Sequence, residues 1–348
     1  MGWIPTSWPS VISRAAQAYA LRRRRRRLLW GSWRSRHALR PLQDLTSRIK
    51  PEDILCVVCL RNEAARLPAF LSHHRAMGVD HFLVVDNAST DASLDLLLDQ
   101  PDISVWQSKQ SYRQARFGVD WTGWLLARYG HGHWCLTLDV DEMLVYPYHQ
   151  TRKLRALTGW LDQQGQESMA AMMLDLYPQG RISMTAFEEG SDPLRQLTHF
   201  DAGNYSITKR EGSGHLWIQG GPRARAIFAG NPARAPTLNK VPLIRWNRRY
   251  VYVNSTHSAL PPRLNHVYGQ DGTEKLSGIL LHSKFLPQIL DKSREDLQRK
   301  EHFNQPDLYQ DYYDQLISDP IFYSEASTRL TGWRQLEALG LMSRGGWI

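Results

Sequence analysis

Four short apolar runs, each followed by a stretch of helical length, constrain this chain more than any other feature. "DILCVVCL", "HFLVV", "ISVW" and "WCLTL" lack the polar alternation of a strand with one wet face. Such runs fit strands covered on both sides, as in the parallel sheets of α/β proteins. Between them, "NEAARLPAFLSHHRAMG" places Leu67, Phe70, Leu71 and Met77 on one helical face and stops at Gly78. "DNASTDASLDLLLDQ" opens with a run of N-capping residues, and "GVDWTGWLLARYG" supplies a third helix. This alternation predicts βαβ units with right-handed crossovers: a Rossmann-like, mostly parallel central sheet flanked by helices.

Ligand sites in such sheets lie beyond the carboxyl ends of the strands. Three polar clusters occupy those ends: Arg61-Asn62-Glu63, Asp86-Asn87, and Asp139 to Glu142. Separate stretches of chain therefore converge on one edge. In "LTLDVDEML", Asp139 and Asp141 form a D-x-D, and side chains two apart in extended chain share a side and reach one ligand. Like charges so close call for a cation between them. A hard divalent ion, Mn²⁺ or Mg²⁺, is the natural occupant, held by one or two carboxylates plus substrate phosphates. The chemistry suggested is cleavage at a phosphate, with the metal neutralising the leaving group.

Charge divides the chain. The first fifty residues hold twelve Arg and Lys against one acid, Asp44, so they carry more than the whole net charge of +9 and the remainder is slightly acidic. The run Arg22 to Arg27, flanked by Trp and Leu, fits attachment to an anionic membrane surface. A nucleic-acid partner would use the same charge through its phosphates and is the least favoured reading; a solvated tail is the remaining one. No apolar stretch approaches the roughly 20 residues that span a bilayer, and no apolar segment of a secretory signal follows the arginines. The expected location is cytoplasmic, peripheral on the inner face of the cytoplasmic membrane. Three cysteines cannot build a disulfide scaffold; Cys56 and Cys59 form a C-x-x-C inside a strand, where positions three apart face opposite ways. With Cys135 they read as buried hydrophobes of a reduced compartment.

The organisation expected is a basic arm over residues 1–50, an α/β domain over 51–285 and a helical segment over 286–348 packed on it. "SKFLPQILDKSREDLQRKEHF", "DLYQDYYDQLI" and "GWRQLEALGLM" supply the last helices.

"CVVCLRNEAARLPAFLSHHRAMGVDHFLVVDNASTD" followed by "WCLTLDVDEMLVYP" resembles the family-2 glycosyltransferases of the GT-A fold. The resemblance is to a bacterial subgroup reading RNE…VDNxSTD…DxDE, and "HFDAGNY", "NKVPLIRW", "STH", "LLHSKFL" and "TGWRQLEALGLM" extend it over about residues 52–345. It implies transfer of a sugar from a nucleotide-sugar donor to a saccharide or lipid-linked acceptor hydroxyl, with inversion, in cell-surface polysaccharide or glycolipid synthesis. It places Arg61, Asn62, Glu63, Asp86 and Asn87 around the nucleoside, although Arg61 departs from the aromatic or small polar residue usual there. Asp139 then faces ribose or metal, Asp141 binds the metal, and His282 arrives as a later ligand. Lys284, Arg113 and Arg116 are phosphate contacts, and Arg223, Arg225 and His257 line the same cleft. The base that takes the acceptor's proton is sought among Asp201, Glu211, Glu188 and Glu189. Two other readings stay open. A nucleotidyltransferase making a nucleotide-sugar would use the same sheet and acids, but "RNEAARLP" lacks the glycines of its loop. A noncatalytic membrane- or polyanion-binding protein would depend on the arginine run instead.

Overall fold

The computed structural model describes residues 11–210, 214–269, 274–299 and 306–348. Its strands are β1 (Arg40–Gln43), β2 (Leu55–Leu60), β3 (His81–Asp86), β4 (Ile103–Gln107), β5 (Trp134–Leu138), β6 (Glu142–Val145), β7 (Ser168–Asp175) and β8 (His199–Asp201). They continue as β9 (Tyr205–Lys209), β10 (Leu216–Gly220), β11 (Asn239–Arg245), β12 (Val251–Tyr252), β13 (Ala259–Leu260), β14 (Ser277–His282) and β15 (Ser327–Arg329). The helices are α1 (Val11–Ser35), α2 (Leu67–Met77), α3 (Ser93–Leu98), α4 (Val119–Tyr129), α5 (Leu154–Gln163), α6 (Gln288–Arg299), α7 (Pro306–Ile317) and α8 (Trp333–Ala338).

Nine strands form one sheet in the order β1-β4-β3-β2-β5-β11-β7-β14-β6. It is parallel from β4 through β3 and β2 to β5, and again between β7 and β14. It turns antiparallel where β1, β11 and β6 enter. This is the Rossmann-like α/β architecture that the apolar runs require. Leu55, Cys56, Val57 and Val58 of β2 are all buried, because helices cover both faces. Each fully buried aliphatic side chain there contributes roughly 1.5–3 kcal/mol. Cys56 belongs to the core on one face, whereas Cys59 packs against the core on the other, as strand alternation demands.

Local signals explain the helix limits. Pro68 stands in the first turn of α2, and Gly78 ends it at φ +97°, with the Val79 amide returning to the His74 carbonyl at 3.0 Å. The expected start at Asn62 is five residues early. Asn62 takes φ +53°, and the amides of Asn62, Glu63 and Ala64 donate instead to Ser89, Ser93 and Asp91. Residues 61–66 are thus a loop stitched to the loop after β3. Gly118, before α4, is at φ +75°, and a Cβ there would stand 2.8 Å from the Cys59 sulfur; only glycine fits.

Residues 32–43 contact the α/β domain. β1 pairs with β4, and α1 lies on α4, where the Ser32 and Ser35 hydroxyls donate to Asp120. At the other end, β15 pairs with β8, and Trp347 enters the main core while its indole N–H donates to the Pro147 carbonyl at 3.1 Å. Among the described residues, no helix is long and apolar enough to cross a membrane.

Candidate active site at the carboxyl edge of the sheet

The chain runs outward from β2 through β3 to β4, then returns to place β5 on the other side of β2. Crossovers leave in opposite directions at that point and open a crevice beyond the strand ends. A cavity of about 450 Å³ occupies it. Arg61, Asn62, Glu63, Asn87, Asp139, Asp141, Glu142, Arg223, His257, His282 and Lys284 all line it, so most residues singled out from the sequence do meet in space.

The acidic segment is a tight turn rather than extended chain. The Glu142 amide donates to the Asp139 carbonyl at 3.0 Å, and the chain passes from β5 to β6, which pairs with β14 at the far margin of the sheet. The turn separates the acids onto different cations. Lys240, from β11, lies 2.9 Å from Asp139 Oδ2 and 2.5 Å from Glu142 Oε1. Glu142 is wholly buried; desolvation pushes its pKa up to about 7 despite Lys240, and Asp139 and Asp141 add to the rise.

Asp141 takes the other partner. Its Oδ2 is 3.0 Å from His282 Nε2, while His282 Nδ1 is 2.6 Å from Asp175 Oδ1. Asp175 also accepts from Arg223 Nε at 2.7 Å. An imidazole between two carboxylates satisfies both only as the doubly protonated cation. Burial works against that charge, but Asp141 and Asp175 outweigh it and raise the His282 pKa. Burial would likewise raise Asp141, yet His282, then Arg66 and Lys284, hold it well below the usual carboxylate range. Asp175 falls to about 2, because Arg223 and His282 overcome its desolvation.

Cationic capacity remains beside this row. Arg223 is 5% exposed and its Nη2, buried in the cavity wall, has no hydrogen-bond partner among the described residues. Lys284 points its ammonium toward the Tyr312 ring, 5.6 Å away, and forms no ion pair among them. Arg66 donates to the Ser283 and Lys284 carbonyls, tying the loop after β2 to the loop after β14. His257 donates Nδ1–H to the Asn239 carbonyl and stays neutral, its pKa lowered to about 4 by burial and by Lys240.

Other candidates are placed differently. Asp86 is fully buried behind the cavity, accepting from the Ser89 amide and the Gln107 side chain. Arg61 donates to the Asn87 and Ala88 carbonyls, Asn62 accepts from the Thr90 amide, and Asn87 donates to the Ser108 and Gln110 carbonyls. These three knit the strand-end loops together. Arg116 pairs with Asp120 and the Val253 carbonyl, outside the cavity lining. Asp201 is held by Arg225 at 2.9 Å and the Tyr177 hydroxyl at 2.5 Å, also outside it. Arg113, Glu188 and Glu189 are exposed elsewhere, and Glu211 lies outside the described residues.

Asp175, Lys240, Arg66 and Lys292 were not singled out from the sequence. Asp175 had the same signal as Asp86 and Asp139: an acid closing an apolar run, "SMAAMMLD". Lys240, a lone lysine in the apolar stretch "NKVPLIR", was equally visible.

An α/β protein with a cleft at its topological switch point, furnished with both acidic and cationic side chains, is the class these features define. No family model matches the chain, and no curated protein does. Among solved structures it is similar to a 4-diphosphocytidyl-2C-methyl-D-erythritol synthase, at 17% identity and TM-score 0.24, over 40% of this chain and 68% of that one. It is also similar to HddC from Yersinia pseudotuberculosis, at 9% identity and TM-score 0.29, over 70% of this chain and 99% of that one.

Proposed function

We propose that the protein transfers a sugar from a nucleotide-sugar to a hydroxyl of a saccharide or lipid-linked acceptor, with Mn²⁺ or Mg²⁺ at Asp141 and His282. One observation carries this reading: the Asp141–His282–Asp175 row opens on the same cavity as Arg223 Nη2 and Lys284. A carboxylate and an imidazole suit a divalent cation, and the spare Arg223 Nη2 and the Lys284 ammonium suit the diphosphate it accompanies. Among the described residues, no group of three or more His, Cys, Asp or Glu is set to hold a metal alone. Two protein ligands with phosphate oxygens completing the shell is the usual arrangement for such ions, and the imidazole favours Mn²⁺. Asp175 on Nδ1 aims Nε2, the arrangement commonly seen behind a ligating histidine.

When bound, the ion neutralises the leaving diphosphate. The chain's residues do the rest. Lys284 and Arg223 receive the phosphate oxygens, and Lys240 holds Asp139 at the mouth of the acidic turn. Tyr112 and Phe117, on the cavity wall, offer rings against which a base stacks.

The test is product analysis. Incubation with a panel of nucleotide-sugars and Mn²⁺ is expected to release nucleoside diphosphate. Release of pyrophosphate from a nucleoside triphosphate and a sugar phosphate would replace this reading with nucleotide-sugar synthesis.

Two further outcomes follow from the row of charges. Asp175→Asn is expected to weaken Mn²⁺ binding about 10- to 100-fold by titration calorimetry at pH 8, because Nε2 loses its aim. In the unsubstituted protein the metal must displace the Nε2 proton. Since the His282 pKa is raised above 6.5, affinity should climb with pH from about 6 upward and level off above the folded-state pKa. A flat profile over that window would remove His282 from the ligands.

A further inference from the structure

Helix α1 has one face committed to the protein and one turned outward. On the inner face Leu28, with Leu21 and Leu29, packs on Val251 and Leu260. Further along, Ser32 sits against α4 so closely that a Cβ on Gly123 would meet its hydroxyl at 2.7 Å. The helix is therefore fixed, and its other side is a surface.

That surface carries exposed rings among arginines. Tyr19 is 67% exposed, Trp30 57% and Trp33 41%. Positions 19, 23, 26, 30 and 33 follow the helical repeat along one stripe, and Arg23 and Arg26 are exposed with them. Arg22, Arg27 and Arg34 flank the stripe, and none of Arg22 to Arg27 forms an ion pair among the described residues. The first acid of the chain is Asp44. Trp30 and Trp33 stack at 4.7 Å between ring centroids, and the Arg36 guanidinium lies 3.4 Å over the Trp33 ring.

We propose that this outward face of α1 docks the protein on the surface of an anionic lipid bilayer. The guanidinium groups match lipid phosphates, and amphipathic indoles settle at the headgroup level. The stacking favours lipid over single-stranded nucleic acid. Trp33 lies between Trp30 and Arg36, so its faces are already occupied and closed to bases, whereas ring edges suffice for an interfacial anchor. The helix stands one packing layer from the cavity: Asp120, which binds Ser32 and Ser35, also binds Arg116, next to the cavity-lining Phe117. Docking stands independently of what the cleft transfers.

The full chain should sediment with phosphatidylcholine vesicles containing phosphatidylglycerol and not with pure phosphatidylcholine vesicles. Replacing Arg22, Arg23, Arg26 and Arg27 by Gln should weaken binding by roughly fivefold per residue, and replacement by Lys should restore most of it. Trp30→Ser with Trp33→Ser should reduce it about tenfold while leaving the thermal midpoint unchanged, since both indoles are outward. Equal binding to both vesicle types, full retention by the Gln variant, or a preference for a single-stranded oligonucleotide over anionic vesicles would overturn the proposal.

Discussion

Lys240→Met should lower the free energy of unfolding by about 3–5 kcal/mol at pH 8, read from urea midpoints at constant slope, the usual cost of removing one partner from a buried ion pair. Lys240 is 3% exposed and holds two carboxylates. Asp139, half-exposed, has water to turn to; Glu142, fully buried, has none. The cost therefore falls on Glu142, whose pKa is already pushed up to about 7 by desolvation while Lys240 is present. Without the ammonium it rises further. Both proteins bear the cost of ionising Glu142 alike up to about pH 7, so the added defect of the variant should grow as pH climbs above about 7. Adding Glu142→Gln should recover most of the loss. A double variant as unstable as the single one would show that Lys240 acts through packing, not charge.

Asp141→Ala is the larger effect on chemistry. The turn should survive it, because the Asp141 carbonyl accepts from the Ser283 amide at 2.7 Å and its hydroxyl at 3.1 Å. What disappears is the carboxylate facing His282. Mn²⁺-dependent release of nucleoside diphosphate should fall on the order of 10³-fold in kcat/KM with the thermal midpoint little changed. Full turnover by a folded Asp141→Ala protein would end the metal assignment made here.

The sequence disclosed the sheet better than the site. β2 to β5 announce themselves as apolar runs because both faces are covered, and their polar ends converge where a switch point requires. The D-x-D was visible as a pair of acids, but not the turn that separates them. That separation depends on β6 leaving β5 for β14, a long-range pairing without local signature. Lys240 and Asp175 were overlooked for a related reason. Each makes sense only beside partners distant in sequence, Lys240 beside Asp139 and Asp175 beside His282. Asp86 and Arg61 stand at the expected strand ends, yet their hydrogen bonds serve neighbouring loops, a distinction that only coordinates reveal. The arginine run masked the inner face of α1, where Leu21 and Leu28 are too sparse for an apolar stripe to stand out.

The three thiols offer independent clocks on this molecule. Cys56 and Cys135 are sealed within the sheet, and desolvation drives both pKa values upward, so alkylating reagents must wait for the strands to part. Cys59 differs, since it borders the cleft and is only partly covered. Its sluggish thiol, raised by burial and by Asp139 and Asp86, lies on the wall of that opening. Labelling at Cys59 thus reports occupancy, and labelling at the other two reports global unfolding, in a single experiment on unmodified protein.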